Sequence, residues 1–307
     1  MDLDDAPRAQ AGAAPTRPAA ASLLDDTRLE RVRATTAAGA SALYRGVLPR
    51  SWNAHVYPFG GVASAIALRA MREELGRPAH APRTLTTLFA SPVADGEIEA
   101  EVEVVRAGRG MSQLRATLRN VGSDEPGHVS MAVFGGARRG FSFTDVRPPD
   151  WVAPQDAAPP KEPPAEHARF RSPFFEQLEV RQWNVRSSWE TGWEPGRARA
   201  SRWMRYRVPP LREDGVLDPL AYVPVCDTMP PSVVQAVGPG GPTFFAPSCD
   251  LTVQIFRETR SEWLLADART HWAGDGYASS TIDLWDVDRQ LLARASQLMY
   301  LRLDAEA

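Results

Sequence analysis

The stretch that decides the fold runs from residue 60 to residue 75 and reads Gly60-Gly61-Val62-Ala63-Ser64-Ala65-Ile66-Ala67-Leu68-Arg69-Ala70-Met71-Arg72-Glu73-Glu74-Leu75. It is apolar almost all round until Arg69, which predicts a buried helix rather than an amphipathic one. Downstream, residues 97–104 (EIEAEVEV) alternate strictly between glutamate and a small apolar residue. This alternation predicts a strand with one face in solvent and the other on a core. A helix followed by such strands is typical of an α+β fold.

The second half of the chain repeats the first at an offset of 166 positions. The offset brings proline, glycine and strand residues into register: Pro58 with Pro224, Leu85-Thr86 with Leu251-Thr252, Gly108 with Gly274, Gly110 with Gly276, and Ser130 with Ser296. Each Gly-x-Gly stands between two candidate strands, which predicts a hairpin turn at both places. We infer that one unit, a helix wrapped by an antiparallel meander, was duplicated.

Two segments of biased composition bound these units. Residues 1–25, rich in Ala, Pro and Asp, are predicted to be a disordered tail. Residues 148–169 hold three Pro-Pro pairs, which cannot continue a helix or a central strand and so predict an extended linker. Residues 26–147 and 170–303 are then expected to form an N-terminal and a C-terminal domain.

Composition and motifs exclude several classes of protein. A formal net charge of −3 gives no electrostatic reason to expect a nucleic-acid partner. The two cysteines, Cys226 and Cys249, form no C-x-x-C pair, and no stretch approaches the roughly 20 apolar residues of a membrane span. The first residues lack the pattern of a secretory signal. We therefore expect a cytoplasmic protein without a membrane span.

No motif for a cofactor or a metal is present in the sequence. It contains no nucleophile elbow, no zinc-protease motif, no phosphate-binding loop and no dinucleotide fingerprint. The five histidines show no metal-ligand spacing, so no cofactor is expected. His55 stands shortly before Gly60 and is either a ligand contact or an ordinary surface or capping histidine.

The informative positions are those at which polar residues break the repeat. At the offset of 166, three polar residues of the second half face non-titrating residues of the first: Asp227 faces Gly61, Ser248 faces Pro82, and Gln297 faces Met131. These three polar residues offer a carboxylate, a hydroxyl and an amide. Together they form a candidate site.

Each of the three also has a purely structural interpretation. Gln297 interrupts an apolar series of alternate strand residues, and a buried amide needs partners, which the backbone can supply. Asp227 precedes Pro230-Pro231 and an apolar run, the pattern of a helix N-cap. Ser248 shares a strand face with Asp250, Thr252 and Gln254 by alternation, as an ordinary strand hydroxyl does.

In this combination the residues resemble the acyl-CoA thioesterase II family of double-hotdog enzymes. The likeness covers about residues 40 to 303 and rests on short matches in both halves: Pro58-Phe59-Gly60-Gly61, residues 106–112, Cys226-Asp227, Ser248-Cys249-Asp250, residues 261–265 and Ala295-Ser296-Gln297. The resemblance implies a tandem hotdog fold, in which two antiparallel sheets each wrap a central helix. It also implies an acyl-CoA substrate and a place in fatty acid metabolism.

In that family an aspartate, a threonine or serine, and a glutamine hold the hydrolytic water. The resemblance therefore implies that Asp227, Ser248 and Gln297 are catalytic, with Asp227 as general base. Backbone N–H groups of Gly60 or Gly61 are the expected donors to the oxyanion. Arg109 is a candidate contact for the CoA phosphates. Leu251-Thr252 stands where His-Ser is common, which leaves open whether Thr252 assists.

Other activities remain open on the sequence alone. A hotdog hydratase or dehydratase needs an Asp/His pair, and no histidine lies near Asp227 in sequence. A non-catalytic acyl-CoA-binding protein would have the pocket but no working catalytic residues. An interaction protein would bind no such ligand. Because fused sheets leave edges to bury and the nine tryptophans offer apolar contact area, we also expect a homo-oligomer.

Overall fold

The computed structural model describes residues 20–34, 41–165, 167 and 171–303 of the 307-residue chain. The α-helices in these ranges are α1 Leu23–Asp26, α2 Gly60–Leu75, α3 Pro173–Glu176, α4 Tyr222–Cys226 and α5 Pro231–Val237. The strands are β1 Glu30–Arg33, β2 Ala42–Leu48, β3 Ala81–Phe89, β4 Gly96–Ala107, β5 Met111–Asn120, β6 His128–Gly135, β7 Leu178–Asn184, β8 Arg199–Tyr206, β9 Phe244–Phe245, β10 Asp250–Ile255, β11 Leu264–Gly274, β12 Tyr277–Trp285, β13 Leu291–Tyr300 and β14 Arg302–Leu303.

One antiparallel sheet contains twelve of these strands, in the order β1-β2-β4-β5-β6-β3-β10-β13-β12-β11-β8-β7. Read inward from its two edges, the sheet has the same strand order in both halves, as a duplicated unit requires. The structure differs from the expectation of two sheets, because β3 pairs with β10 and joins the halves. The pairing satisfies the backbone groups of both inner edges, which separate sheets would leave exposed.

The junction brings equivalent residues of the two halves face to face. Thr86 pairs directly with Thr252, and their hydroxyl oxygens lie 3.0 Å apart. These two residues are 166 positions apart, the offset of the sequence repeat. Because an antiparallel pair of equivalent residues is exchanged by a twofold rotation, a local twofold axis passes between them. The repeat in the sequence is therefore also the relation between the halves in space.

Helix α2 packs on the inner face of the first half of the sheet. Its residues from Gly61 to Leu68 are all buried, as its apolar sequence predicts. It ends at Gly76, which has the left-handed φ of 58° that glycine adopts at little cost. The prediction of a buried helix from Gly60 to Leu75 is confirmed.

The second half carries two short helices, α4 and α5, where the sequence predicts one central helix. Asp227 is the C-terminal cap residue of α4, and α5 begins at Pro231 after Pro230. Adjacent prolines lack the N–H groups that a continuous helix needs, so the helix is interrupted before them. The interruption leaves Asp227 at a helix end in the interior of the protein.

The linker, predicted to be extended, packs against the outer face of the second half. Trp151 meets the ring of Trp203 edge-on at 5.4 Å, and the Trp203 indole N–H donates to the carbonyl of Val152 at 3.0 Å. Ala157 is buried in the same apolar cluster. The Pro-rich segment therefore covers a sheet face, while the domain boundaries themselves remain predictions.

The predicted disordered tail lies partly outside the described residues, which begin at residue 20. For residues 23–25 the prediction is wrong, because they belong to α1 and Leu23 is completely buried in the core. The Ser22 hydroxyl caps this helix by accepting from the Asp25 N–H. No helix of the described ranges is long and apolar enough to cross a membrane.

Candidate active site

Asp227, Ser248 and Gln297 meet at the N-terminus of α2. The Gln297 amide nitrogen donates to Oδ1 of Asp227 at 2.5 Å and also to the hydroxyl of Ser248. The Ser248 hydroxyl donates to the same carboxylate oxygen at 3.4 Å. The other carboxylate oxygen, Oδ2, accepts from the Gly61 N–H at 2.7 Å. Residues from α4, β13 and the segment before β10 thus converge on the first turn of a helix from the other half.

Asp227 caps a helix, but not the one that its sequence position indicates. Phe59, the N-cap residue of α2, makes no side-chain capping bond, and the Asp227 carboxylate satisfies that helix end instead. The close approach requires glycine, because a Cβ on Gly61 would lie 2.6 Å from Cα of Pro224 and 2.9 Å from Cβ of Asp227. The expectation of a cap on the following helix is therefore corrected to a cap between the two halves.

The electrostatics of Asp227 suit a general base. Its side chain is only 5% exposed, and this burial raises its pKa to about 7, although hydrogen bonds from Gly61, Gln297 and Ser248 favour the charged form. The positive end of the α2 dipole favours the charged form as well. A carboxyl group with a pKa near neutral can both take a proton and return it at physiological pH.

Ser248 reaches the site through a β-bulge. Thr252 pairs with Ser296 across β10 and β13, whereas Ser248 pairs with Met299. A regular ladder would place Ser248 opposite Tyr300, so the strands slip by one residue between the two pairs. The slip turns Ser248 to the core face, contrary to the face predicted by strict alternation.

Asp250 holds this bulge in place. Its carboxylate accepts from the Leu298 N–H at 2.9 Å, where the regular ladder is interrupted. The side chain therefore replaces a backbone acceptor. Asp250 is a positioning residue that the sequence analysis did not assign.

Gln297 faces the core between Ala295 and Met299 on β13, as the alternation in its strand predicts, and is 3% exposed. Its hydrogen bonds go to side chains of the site, so the interpretation as an amide satisfied by backbone is wrong. Its amide oxygen has no hydrogen-bond partner within the described ranges. That oxygen can accept a hydrogen bond from a bound water molecule.

Of the two glycines expected to donate to an oxyanion, only Gly60 is available. The Gly61 N–H is occupied by Asp227, whereas no acceptor within the described part of the chain takes the Gly60 N–H. A Cβ on Gly60 would lie 3.1 Å from Oδ2 of Asp227 and 3.0 Å from the ring of Phe89. Gly60 itself therefore lies next to the carboxylate and has little room for a side chain.

A cavity of about 320 Å³ opens beside Asp227. Its wall is largely apolar and includes Phe59, Phe175 and Val234, while His55 and Arg202 add polar groups. The volume lies at the lower end of the range for small-molecule sites. No cluster of His, Cys, Asp and Glu in the described ranges could hold a metal ion.

Two of the residues predicted to contact substrate, Thr252 and Arg109, lie away from Asp227, and their roles remain predictions. Thr252 bonds Thr86 at the junction of the halves, on the face of β10 opposite to the buried Leu251 and Val253. Arg109 lies in the turn between β4 and β5, where its carbonyl is 3.3 Å from Nε2 of His80, the residue before β3. Gly60 packs against Phe89 at the other end of β3. The nine residues of β3 span about 26 Å. The structure therefore brings neither residue to Asp227.

Solved structures with a similar fold are known. A conserved protein of unknown function with a hot dog fold from Alicyclobacillus acidocaldarius shares 26% sequence identity, with a TM-score of 0.74 over 93% of this chain and 98% of that one. Acyl-CoA thioesterase II TesB2 from Mycobacterium marinum shares 22% identity, with a TM-score of 0.67 over 92% of this chain and 99% of that one. At that identity the second likeness concerns the fold alone. Both place the chain among hotdog-fold proteins.

Two family models match the chain in succession. The model of the acyl-CoA thioesterase N-terminal domain matches residues 48–135, and that of the acyl-CoA thioesterase C-terminal domain matches residues 154–301. Together they span most of the sequence, so this protein belongs to the acyl-CoA thioesterase family. The resemblance inferred from the sequence is confirmed. No curated protein sequence matches the chain.

Proposed function

We propose that this protein hydrolyses acyl-CoA thioesters to a free acid and CoA, with Asp227 as general base. The observation that carries the proposal is the position of the buried Asp227 carboxylate, which has a pKa near 7 and is hydrogen-bonded to Ser248 and Gln297. Thioester hydrolysis at neutral pH needs a base that is ionised yet easily protonated. Membership of the thioesterase family supports the same reaction.

In the proposed reaction each of these groups has one role. Asp227 takes a proton from a water molecule that Ser248 and Gln297 orient, and the water oxygen attacks the thioester carbon. The Gly60 N–H stabilises the negative oxygen of the tetrahedral intermediate, with the positive end of the α2 dipole behind it. The carbon–sulfur bond then breaks, and the proton on Asp227 passes to the departing CoA thiolate. Asp227 is thereby returned to its ionised form.

The finer architecture belongs to the same proposal. We take the two halves of the sheet, with α2 in one and α4 and α5 in the other, as two hotdog units in tandem. The acyl group lies in the cavity beside Asp227, between Phe59 of the first unit and α5 of the second. Assembly into a homo-oligomer remains a prediction, which light scattering at micromolar protein concentration tests.

One observation favours a second candidate, a hotdog hydratase. His55 lines the same cavity as Asp227, although the two are remote in sequence. Burial lowers the pKa of His55, so its imidazole is neutral at physiological pH. A hydratase would consume the double bond of an enoyl-CoA without releasing a thiol. A non-catalytic binding protein would bind acyl-CoA with neither change.

A thiol-release assay over acyl-CoAs of graded chain length separates these functions. Under the proposal CoA is released at least about a hundredfold faster by the wild type than by Asp227→Asn. Release of thiol at equal rates by both proteins would contradict the role of Asp227. Loss of enoyl-CoA absorbance without thiol release would identify the hydratase.

A further inference from the structure

One arginine of β8 points toward the core rather than toward solvent. Arg202 alternates with Met204 and Tyr206 on the inner face of that strand, and both neighbours are buried in the main core. A charged side chain in such a series is costly unless something compensates its charge. The inward position of Arg202 therefore requires an interaction that compensates its charge.

The protein itself supplies little compensation for Arg202. One guanidinium nitrogen donates to the carbonyl of Thr228 at 3.3 Å, and the group lies 5.3 Å from the ring centre of Phe175. Among the described residues no carboxylate forms an ion pair with it. By contrast, Arg199 and Arg205 on the same strand pair with Asp267 and Glu179. Burial lowers the pKa of Arg202 to about 10, so it remains charged at neutral pH.

Arg202 has donors besides the one bonded to Thr228, and it borders the same cavity as Asp227. Both residues line this cavity, whose other walls are largely apolar. A guanidinium has five N–H donors, and its planar fork suits a carboxylate in a bidentate arrangement. The cavity of about 320 Å³ accommodates an acyl group but not CoA, whose nucleotide is far larger. The group that meets Arg202 therefore belongs to the acyl part of the substrate.

The spacing limits the length of that acyl part. Thr228, whose carbonyl accepts from Arg202, directly follows Asp227 in sequence. Since consecutive Cα atoms lie about 3.8 Å apart, this link places the guanidinium at most about 13 Å from the Asp227 carboxylate. The acyl chain between a thioester beside Asp227 and the Arg202 guanidinium is therefore short.

We propose that Arg202 binds a carboxylate at the far end of the acyl group, so that the substrates are CoA monothioesters of short dicarboxylic acids. The inference rests on the proposed thioester hydrolysis and specifies its substrate class. A largely apolar pocket that contains this unpaired arginine disfavours the acyl chain that lacks the carboxylate, because the partly buried guanidinium is then left without an anionic partner.

Two substrates of equal length test the proposal. They are the CoA monothioester of hexanedioic acid and hexanoyl-CoA, which differ only in the terminal group. We expect the wild type to prefer the dicarboxylic substrate in kcat/KM by at least about a hundredfold. Arg202→Met should reduce that ratio by about a hundredfold or more, and Arg202→Lys should give an intermediate ratio. Arg205→Met, a matched change at a residue that does not line the cavity, should leave the ratio unchanged.

The outcomes separate this inference from the proposed function. Hydrolysis of both substrates by the wild type at similar kcat/KM overturns the dicarboxylate proposal and leaves the hydrolase intact. An equal rise of KM for both substrates in Arg202→Met assigns the arginine to CoA and also overturns the proposal. If neither substrate is hydrolysed, the proposed function is wrong, and the dicarboxylate inference is then tested by ligand binding. The CoA monothioester of hexanedioic acid should then raise the Tm of the wild type more than hexanoyl-CoA does, and this difference should be smaller in Arg202→Lys and absent in Arg202→Met. An equal rise of Tm by both ligands in the wild type overturns the inference.

Discussion

Replacing Asp227 by asparagine separates the two roles of this side chain. The amide oxygen can still accept from the Gly61 N–H, and the amide nitrogen can face the amide oxygen of Gln297, which lacks a partner in the described ranges. The cap on α2 is therefore kept, while the base is lost. We expect kcat to fall by about a hundredfold to ten-thousandfold, the usual contribution of a general base.

The stability of Asp227→Asn measures the free-energy cost of burying the charged Asp227 carboxylate. The unfolded chain titrates this carboxyl near a pKa of about 3.9, and the folded protein titrates it near 7. Between these values the folded state holds a proton that the unfolded state has released, so the free energy of unfolding falls as pH rises. The difference of about 3 pKa units corresponds to about 4 kcal/mol. Asparagine does not titrate. The free energy of unfolding of Asp227→Asn, relative to that of the wild type, should therefore increase by about 4 kcal/mol from about pH 4 to about pH 8.

Urea unfolding of both proteins across this pH range measures the gain, and steady-state thiol release measures kcat. Wild-type kcat/KM should fall about tenfold per pH unit below pH 7. Asp218→Asn is a matched control, because Asp218 also caps a helical turn and pairs with Arg72 but does not line the cavity. That control should lose stability and keep kcat. An Asp227→Asn protein with wild-type kcat would make Asp227 a cap alone, and a stability difference that is constant with pH would refute the raised pKa.

Five further substitutions test the geometry of the site. Ser248→Ala and Gln297→Ala each remove one group that orients the water, so each should lower kcat by about tenfold, less than Asp227→Asn does. A loss of kcat in either variant that exceeds the loss in Asp227→Asn, measured by thiol release, would contradict this ranking. Gly61→Ala forces a Cβ against Pro224, so urea unfolding should show a loss of about 1–3 kcal/mol, and unchanged stability would exclude the close contact. Asp250→Ala releases the bulge and should lower kcat about as much as Ser248→Ala. Thr252→Val removes only the hydroxyl contact with Thr86 and should leave kcat unchanged; equal effects of Asp250→Ala and Thr252→Val in the same assay would contradict the role of the bulge.

The sequence predicts those features of the fold that depend on local pattern and on the repeat. Helix α2 follows from its apolar run, and Gln297 faces the core as the alternation along β13 requires. The side of the sheet toward which Ser248 points cannot be predicted in this way, because a one-residue slip between strands leaves the sequence pattern unchanged. A short bulge is visible only when both strands are in place.

Two other features of the site depend on distant contacts. The carboxylate of Asp227 caps a helix by accepting from Gly61, 166 positions earlier, and local sequence rules consider only the helix that follows. Arg202 did leave a signal in the sequence, since it occupies an inward position between Ala200 and Met204. A search for charged residues at core-facing positions of strands, applied to β8 as it was to β13, would have found it.

The contact between Gly61 and Asp227 has a consequence for how such a site can originate. These positions are equivalent in the repeat and touch each other, so an assembly of two identical subunits would have to place the same residue at both. Two aspartates would collide and would oppose like charges, since the position of Gly61 has no room even for a Cβ. Two glycines would leave no base. Fusion into a single chain allows the copies to diverge. The first copy then has a glycine at this position, which leaves room for the aspartate carboxylate of the second copy.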